Sequence, residues 1–141
     1  MKKKAWIIGI LIIIGAIAAI GGLMKGHMAA RCDYDGTRIQ PIYEVDFEFE
    51  DGSMKRFCSI VCALMDLKDE GKKLKYITVV DEVSGKRIDD SLATFVESEV
   101  VTIPHVKNRI HVFAEKSDAE RHARQFNGKS IPNPFRGAMG K

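Results

Sequence analysis

Residues Ala5 to Met24 (AWIIGILIIIGAIAAIGGLM) form a run of 20 residues without one charged side chain. At 1.5 Å per helical residue such a run spans about 30 Å, the thickness of one bilayer core. It therefore predicts a single membrane-spanning helix within residues 1–24 and removes that segment from any soluble core. Lys2, Lys3 and Lys4 precede it and outweigh Lys25 and Arg31 behind it, which puts the N-terminus in the cytoplasm and the rest of the chain outside. The same features describe a secretory signal, with Ala16-Ile17-Ala18 as a small-residue cleavage site. The apolar run continues past that site, which favours a retained anchor. Residues 25–31 read as a short polar linker and residues 32–131 as one domain. Residues 132–141, with Pro132, Pro134 and late glycines, read as a flexible tail.

The hydrophobic content of 45% is inflated by the anchor, so the core has to be built from residue 32 onward. Net charge is +3, and three of the 22 basic residues stand at the N-terminus, which leaves the domain near neutral. No basic stripe with interleaved aromatics is present, so a nucleic-acid partner is not expected. The 3 cysteines cannot all pair within one chain, and at least one thiol is free, ligating or paired elsewhere.

Two of those cysteines, Cys58 and Cys62, stand four apart where a strand hands over to a helix, and Cys32 lies upstream. Ser59 is placed to cap that helix, with Cys58 just before the cap and Cys62 in the first turn, so both sulfurs can point into one small volume. The helix N-terminus, with Lys55 and Arg56 close by, is expected to favour thiolate over thiol. Activated, clustered thiolates bind soft metal ions.

The surrounding pattern is α+β. From Ile42 to Glu50 the chain alternates, with Tyr43, Val45, Phe47 and Phe49 on one face and Glu44, Asp46, Glu48 and Glu50 on the other. The acidic residues stand about 6.6 Å apart along one face, too far to share an ion, and read as a solvated face. Asp51-Gly52 predicts a two-residue hairpin turn into a second strand, Met54 to Phe57. A helix follows from Ser59, with Ile60, Ala63, Leu64 and Leu67 as its apolar stripe, then a buried strand, Lys75 to Val80, and a charged turn, Asp81 to Asp90. The order then starts again. Leu92 to Val101 and Arg109 to Ala114 read as strands, and Ser117-Asp-Ala-Glu120 reads as a capping box. The helix it opens turns Ala119, Ala123 and Phe126 inward, stops at Gly128 and leads into a short strand, Lys129 to Ile131. Two ββαβ units in tandem describe the domain, and only the first carries cysteines.

Cys32-Asp33-Tyr34-Asp35-Gly36, Asp51-Gly52 and Phe57-Cys58-Ser59 with Cys62 resemble the TRASH-type metal motif. With Arg87-Ile-Asp-Asp90, Ala93 to Val101 and Ser117-Asp-Ala-Glu-Arg-His-Ala123, the order resembles the NosL family over residues 32 to 131. That resemblance implies a tandem ββαβ fold related to organomercurial lyase. It also implies a membrane-attached accessory protein that supplies copper to nitrous-oxide reductase outside the cytoplasm. Two departures stand out. The first cysteine is followed by Asp33-Tyr34 rather than the family's Gly-Met and lacks a lipobox, and where the family carries Met-Gly this chain has Ile103-Pro104-His105-Val106. The matching position makes His105 a candidate imidazole ligand.

The expected ligands are therefore Cys32, Cys58, Cys62 and His105. Three thiolates alone suit Cu(I), and a Cys3His set suits tetrahedral zinc. The expected role is a metal chaperone that passes copper, or another thiophilic ion, to a recipient protein by ligand exchange, without covalent chemistry. The alternatives are a thiol enzyme, as disulfide exchanger or lyase with Asp33 or Asp35 as proton donor, and a metal-free tethered binding module. An oxidised Cys58–Cys62 pair or two buried thiols would suit the latter readings. Met54 and Met65 are expected in the core, His27 and Met28 as linker residues, and His111 and His122 carry no assigned role.

Overall fold

The computed structural model describes residues 30–69 and 71–136. The expected anchor, His27, Met28 and the last five residues lie outside that range. Among the described residues no helix is long and apolar enough to cross a membrane.

Among the described residues, seven strands and two α-helices follow in the order β1 (Val45–Phe49), β2 (Met54–Phe57), α1 (Ile60–Asp69), β3 (Leu74–Val80), β4 (Arg87–Asp89), β5 (Thr94–Glu97), β6 (Ile110–Phe113), α2 (Lys116–Gln125) and β7 (Lys129–Ile131). They form two antiparallel sheets, ordered β2-β1-β3-β4 and β6-β5-β7. In each unit a hairpin is followed by a helix, and the next strand returns beside the first strand of the hairpin. The element order therefore repeats as expected, with β4 added at the edge of the first sheet. That strand lies inside the segment expected to be one long turn. Asp81 to Gly85 makes the turn, Gly85 taking a positive φ of 70°, and Arg87 to Asp89 then pair with β3.

The alternation in β1 does what its period demands. Val45, Phe47 and Phe49 are all 1% exposed or less. The hairpin differs from the expected two-residue turn. The Gly52 N–H donates to the Phe49 carbonyl and Gly52 has φ 80°, while the Phe49 N–H donates to Ser53. Glu50-Asp51-Gly52 is thus a three-residue loop with glycine in the left-handed position that closes it. The outward acidic row is also not simply solvated. Asp46 is buried, ion-paired to Arg87, and Glu44 lies between Arg56 at 3.8 Å and Arg87 at 3.6 Å.

In the second unit the capping box does not form. Helix α2 begins at Lys116 with Glu115 at the cap position and no side-chain cap hydrogen bond, so Ser117 sits inside the first turn. At the other end Asn127 takes the left-handed conformation (φ 48°), and the Gly128 N–H donates back to the Ala123 carbonyl at 2.8 Å. A Cβ on Gly128 would come within 3.0 Å of the Glu97 carbonyl oxygen, which explains the missing side chain there. Phe126 is 36% exposed rather than inward. Met54 (56%) and Met65 (40%) are exposed too, against the expectation that they belong to the core.

The largest correction concerns the expected flexible tail. Phe135 is 1% exposed, and its ring sits edge-on to Phe47 of the first sheet at 5.7 Å and to Phe95 of the second at 6.3 Å. Asn133 supports it by donating to the Asp90 carboxylate at 2.6 Å. Residues 132–136 therefore belong to the domain, as do Ala30 and Arg31, which fall within the expected linker. The Ala30 carbonyl accepts from Ile39, and Arg31 bridges to Arg38.

Carboxylates make a second tie between the units. Asp81 accepts from the Ala114 N–H at 3.0 Å, and Glu82 accepts from the Val112 N–H at 3.2 Å and from the His111 ring at 2.9 Å. His111 is 1% exposed, and its second nitrogen faces the Val100 carbonyl, so both ring nitrogens meet acceptors. His122 lies against it, ring centroids 4.2 Å apart.

Phe135→Ala should cost about 3–5 kcal/mol of unfolding free energy, the usual loss for emptying a buried aromatic site. Leu92→Ala, at a side chain 73% exposed, should stay within about 0.5 kcal/mol. Urea unfolding of both variants measures the difference.

Candidate metal centre

The strand-to-helix junction of the first unit builds the centre. Phe57 closes β2 fully buried, and the chain turns through Cys58 and Ser59 into α1. Ser59 caps the helix as its position predicts, its Oγ accepting from the Cys62 N–H at 3.1 Å. That places Cys58 just ahead of the cap and Cys62 on the first turn, with their sulfurs 3.5 Å apart. Cys32 arrives from a tight loop. Its N–H donates to the Thr37 carbonyl, its own carbonyl accepts from Gly36, and Gly36 takes φ 73°. The loop is strapped to the free edge of β2. The Asp33 N–H donates to the Arg56 carbonyl at 2.8 Å, and the Arg56 N–H donates to the Asp33 carboxylate at 2.6 Å.

The loop also delivers Asp35. The Thr37 N–H fixes its Oδ1 at 2.9 Å, which leaves Oδ2 facing the thiols, 3.4 Å from Cys62 Sγ and 3.9 Å from Cys58 Sγ. Donor atoms of Cys32, Asp35, Cys58 and Cys62 all lie within 4.8 Å of one another. The three cysteines are free and buried, at 3%, 0% and 0% exposure.

His105 does not belong to that inner set. It sits on a short turn, Pro104–Val106, anchored by buried Ile103 and by Asn108, whose amide donates to Thr102 and to the Ile110 carbonyl. Its Nε2 donates to Asp35 Oδ2 at 2.8 Å, with Thr37 Oγ1 at 3.3 Å from the same nitrogen. The exposure rises outward, from buried sulfurs through the Asp35 side chain at 19% to that of His105 at 45%. The imidazole holds the carboxylate, and the carboxylate faces the thiols. Asp35 thus joins the cysteines as a candidate donor, one that sequence reasoning had considered only as an acid. The signal was present in Cys32-x-x-Asp35-Gly36, where a turn-forming glycine folds the carboxylate back toward the cysteine.

The electrostatics reverse one expectation. Lys55 engages Asp66 at 3.0 Å and the Arg56 guanidinium approaches Glu44, so neither is directed to the sulfurs. Burial pushes the Cys58 thiol up to about 11. Burial raises the Cys62 thiol as well, against the pull of the Ser59 hydroxyl. Burial pushes the Asp35 carboxyl upward, but the Thr37 N–H, the His105 ring and the Cys32 thiol together hold it well below the usual carboxylate range. Without a cation Cys58 and Cys62 stay protonated beside a carboxylate. Such thiols are poor nucleophiles, yet a cation that displaces their protons meets a converging, anionic donor set.

Neither family models nor curated protein sequences return a match to this chain. Among solved structures the fold is similar to the copper chaperone NosL from Shewanella denitrificans, with a TM-score of 0.61 and 20% identity over 72% of this chain and 85% of that one. The likeness bears out the NosL-like α+β architecture.

In the metal-free protein at pH 8, Cys58 and Cys62 should react with iodoacetamide at least about tenfold more slowly than in the denatured chain. The folded state keeps protons that an unfolded thiol releases near 9.0, so its stability is full below that pH and falls as pH rises toward about 11. Mass-resolved alkylation and urea unfolding at pH 8 and pH 10 measure both effects.

Proposed function

We propose that this chain is a metal-handling accessory protein that carries a thiophilic ion and gives it to a recipient protein by ligand exchange. The observation that carries this reading is the convergence of three buried cysteines and one carboxylate within 4.8 Å. Burying that many thiols beside an ionised carboxylate costs stability unless a cation compensates them, so the arrangement makes physical sense as a binding site. The likeness of fold to a copper chaperone supports the same reading.

The ion is proposed to be held by Cys32, Cys58 and Cys62, with Asp35 and His105 on the solvent side. Copper as Cu(I) suits three thiolates, and zinc suits the set with an added fourth donor. Residues 5–24 are proposed to hold the chain at a membrane with the domain outside the cytoplasm, facing a metal-receiving protein, for which a copper enzyme is the natural class. A thiol enzyme fits less well. Its nucleophile would be a thiolate, and Cys58 is fully buried with its thiol pushed up to about 11.

The 141-residue chain, purified anaerobically under reducing conditions in detergent, should bind one equivalent of Cu(I) or zinc that protects all three thiols from alkylation. Cys58→Ser should lose at least about tenfold in affinity. An unchanged stoichiometry and affinity in that variant, measured by elemental analysis and competition with a chromophoric chelator, would sink the proposal.

A further inference from the structure

We infer that Asp35 is a fourth ligand that selects a divalent, zinc-type cation, so that the centre has a four-coordinate mode for such an ion and a three-thiolate mode for Cu(I). The inference rests on the metal-binding reading above and concerns which ion the same centre prefers.

The first support is geometric. A tetrahedral ion about 2.3 Å from sulfur and about 2.0 Å from oxygen needs its donors about 3.8 Å apart for a sulfur pair and about 3.5 Å apart for sulfur and oxygen. Cys58 and Cys62 are 3.5 Å apart, and Asp35 Oδ2 lies 3.4 and 3.9 Å from them. These spacings are those of tetrahedron edges, already close to their final length. A carboxylate at that distance is a fourth corner, which a three-coordinate Cu(I) centre has no use for.

The second support is how the carboxylate is presented. Oδ1 is fixed by the Thr37 N–H, so Asp35 offers a single oxygen, and His105 donates to that oxygen from the solvent side at 2.8 Å. A histidine that orients a coordinating carboxylate is the arrangement by which outer residues tune metal affinity. His105, expected as a ligand, serves here as a positioning residue for one.

The third support is charge. Three thiolates at cysteines at most 3% exposed, beside a carboxylate whose side chain is 19% exposed, repel one another, and a dication cancels one more of those charges than Cu(I) does. A hard carboxylate oxygen also matches zinc better than it matches a soft monovalent ion.

The test uses the full chain in detergent and titrates Zn(II) and Cu(I) separately, each against a competing chelator, for wild type, Asp35→Asn and Cys58→Ser. Asp35→Asn keeps the size and the Thr37 contact but removes the anionic ligand. It should weaken Zn(II) binding by about tenfold or more and leave Cu(I) affinity essentially unchanged. Retained Cu(I) binding also shows that the variant is folded. Equal losses for both ions, or no loss for Zn(II), would overturn the inference. Cys58→Ser should weaken both ions, and if it weakens neither, the metal-binding reading itself fails and takes this inference with it. Co(II) supplies an independent readout on the wild-type protein. Intense visible bands of a tetrahedral, sulfur-ligated ion support four coordination, and the weak spectrum of a six-coordinate ion contradicts it.

Discussion

The pair of hydrogen bonds between Asp33 and Arg56 is the contact on which the centre depends. Cys32 is far from the other cysteines in sequence, and loop closure over that span is entropically unfavourable. The hairpin meets most of that cost, because β2 presents an unpaired edge two residues before Cys58. The Asp33 N–H and carboxylate take up the carbonyl and N–H of Arg56, so the loop is fastened to the strand that ends at the helix junction. The same contact blunts an exposed strand edge. Loop, strand and helix cap then agree on one small volume, and the sulfurs meet there without further instruction.

The rim of the centre comes from the second unit, so it is only as well placed as the joint between the units. Phe135 sits between Phe47 and Phe95, and Asp81 and Glu82 bind backbone N–H groups of β6 and the residue after it. The loop carrying His105 leads directly into β6. An apolar ring and two carboxylates thus fix the reach of an imidazole toward a carboxylate on the other unit. The joint is apolar at one place and ionic at another, and each defines a different degree of freedom.

Much of this was legible in the residues. The β1 alternation, the Ser59 cap, the helix after it, the repeat of the unit and the Lys129 to Ile131 strand all follow from local rules, because each is decided by neighbours within a few positions. What was not legible depended on distant partners. Phe135 stands among prolines and glycines, and composition alone marks such a stretch as a tail. Its burial is decided by a gap between two sheets. Asp46 looked solvated until Arg87, 41 positions away, covered it. Ser117 matched a capping pattern, but the chain entered the helix two residues early, with Glu115 at the cap position and Lys116 as the first helical residue. The thiols looked activated by nearby cations that instead pair with Asp66 and Glu44, and burial then governs their protonation.

Because Cys58 precedes the helix cap and Cys62 donates its N–H to that cap, the centre shares its backbone with the start of α1. The first turn of a helix is its least cooperative part and opens locally at a small fraction of the global unfolding free energy. A bound ion that ties both sulfurs to Cys32 would suppress that opening, so cargo and helix fraying compete for the same few residues. That first turn can loosen while both sheets stay intact, and the amide hydrogens of residues 60–63 would report its opening by their exchange rates.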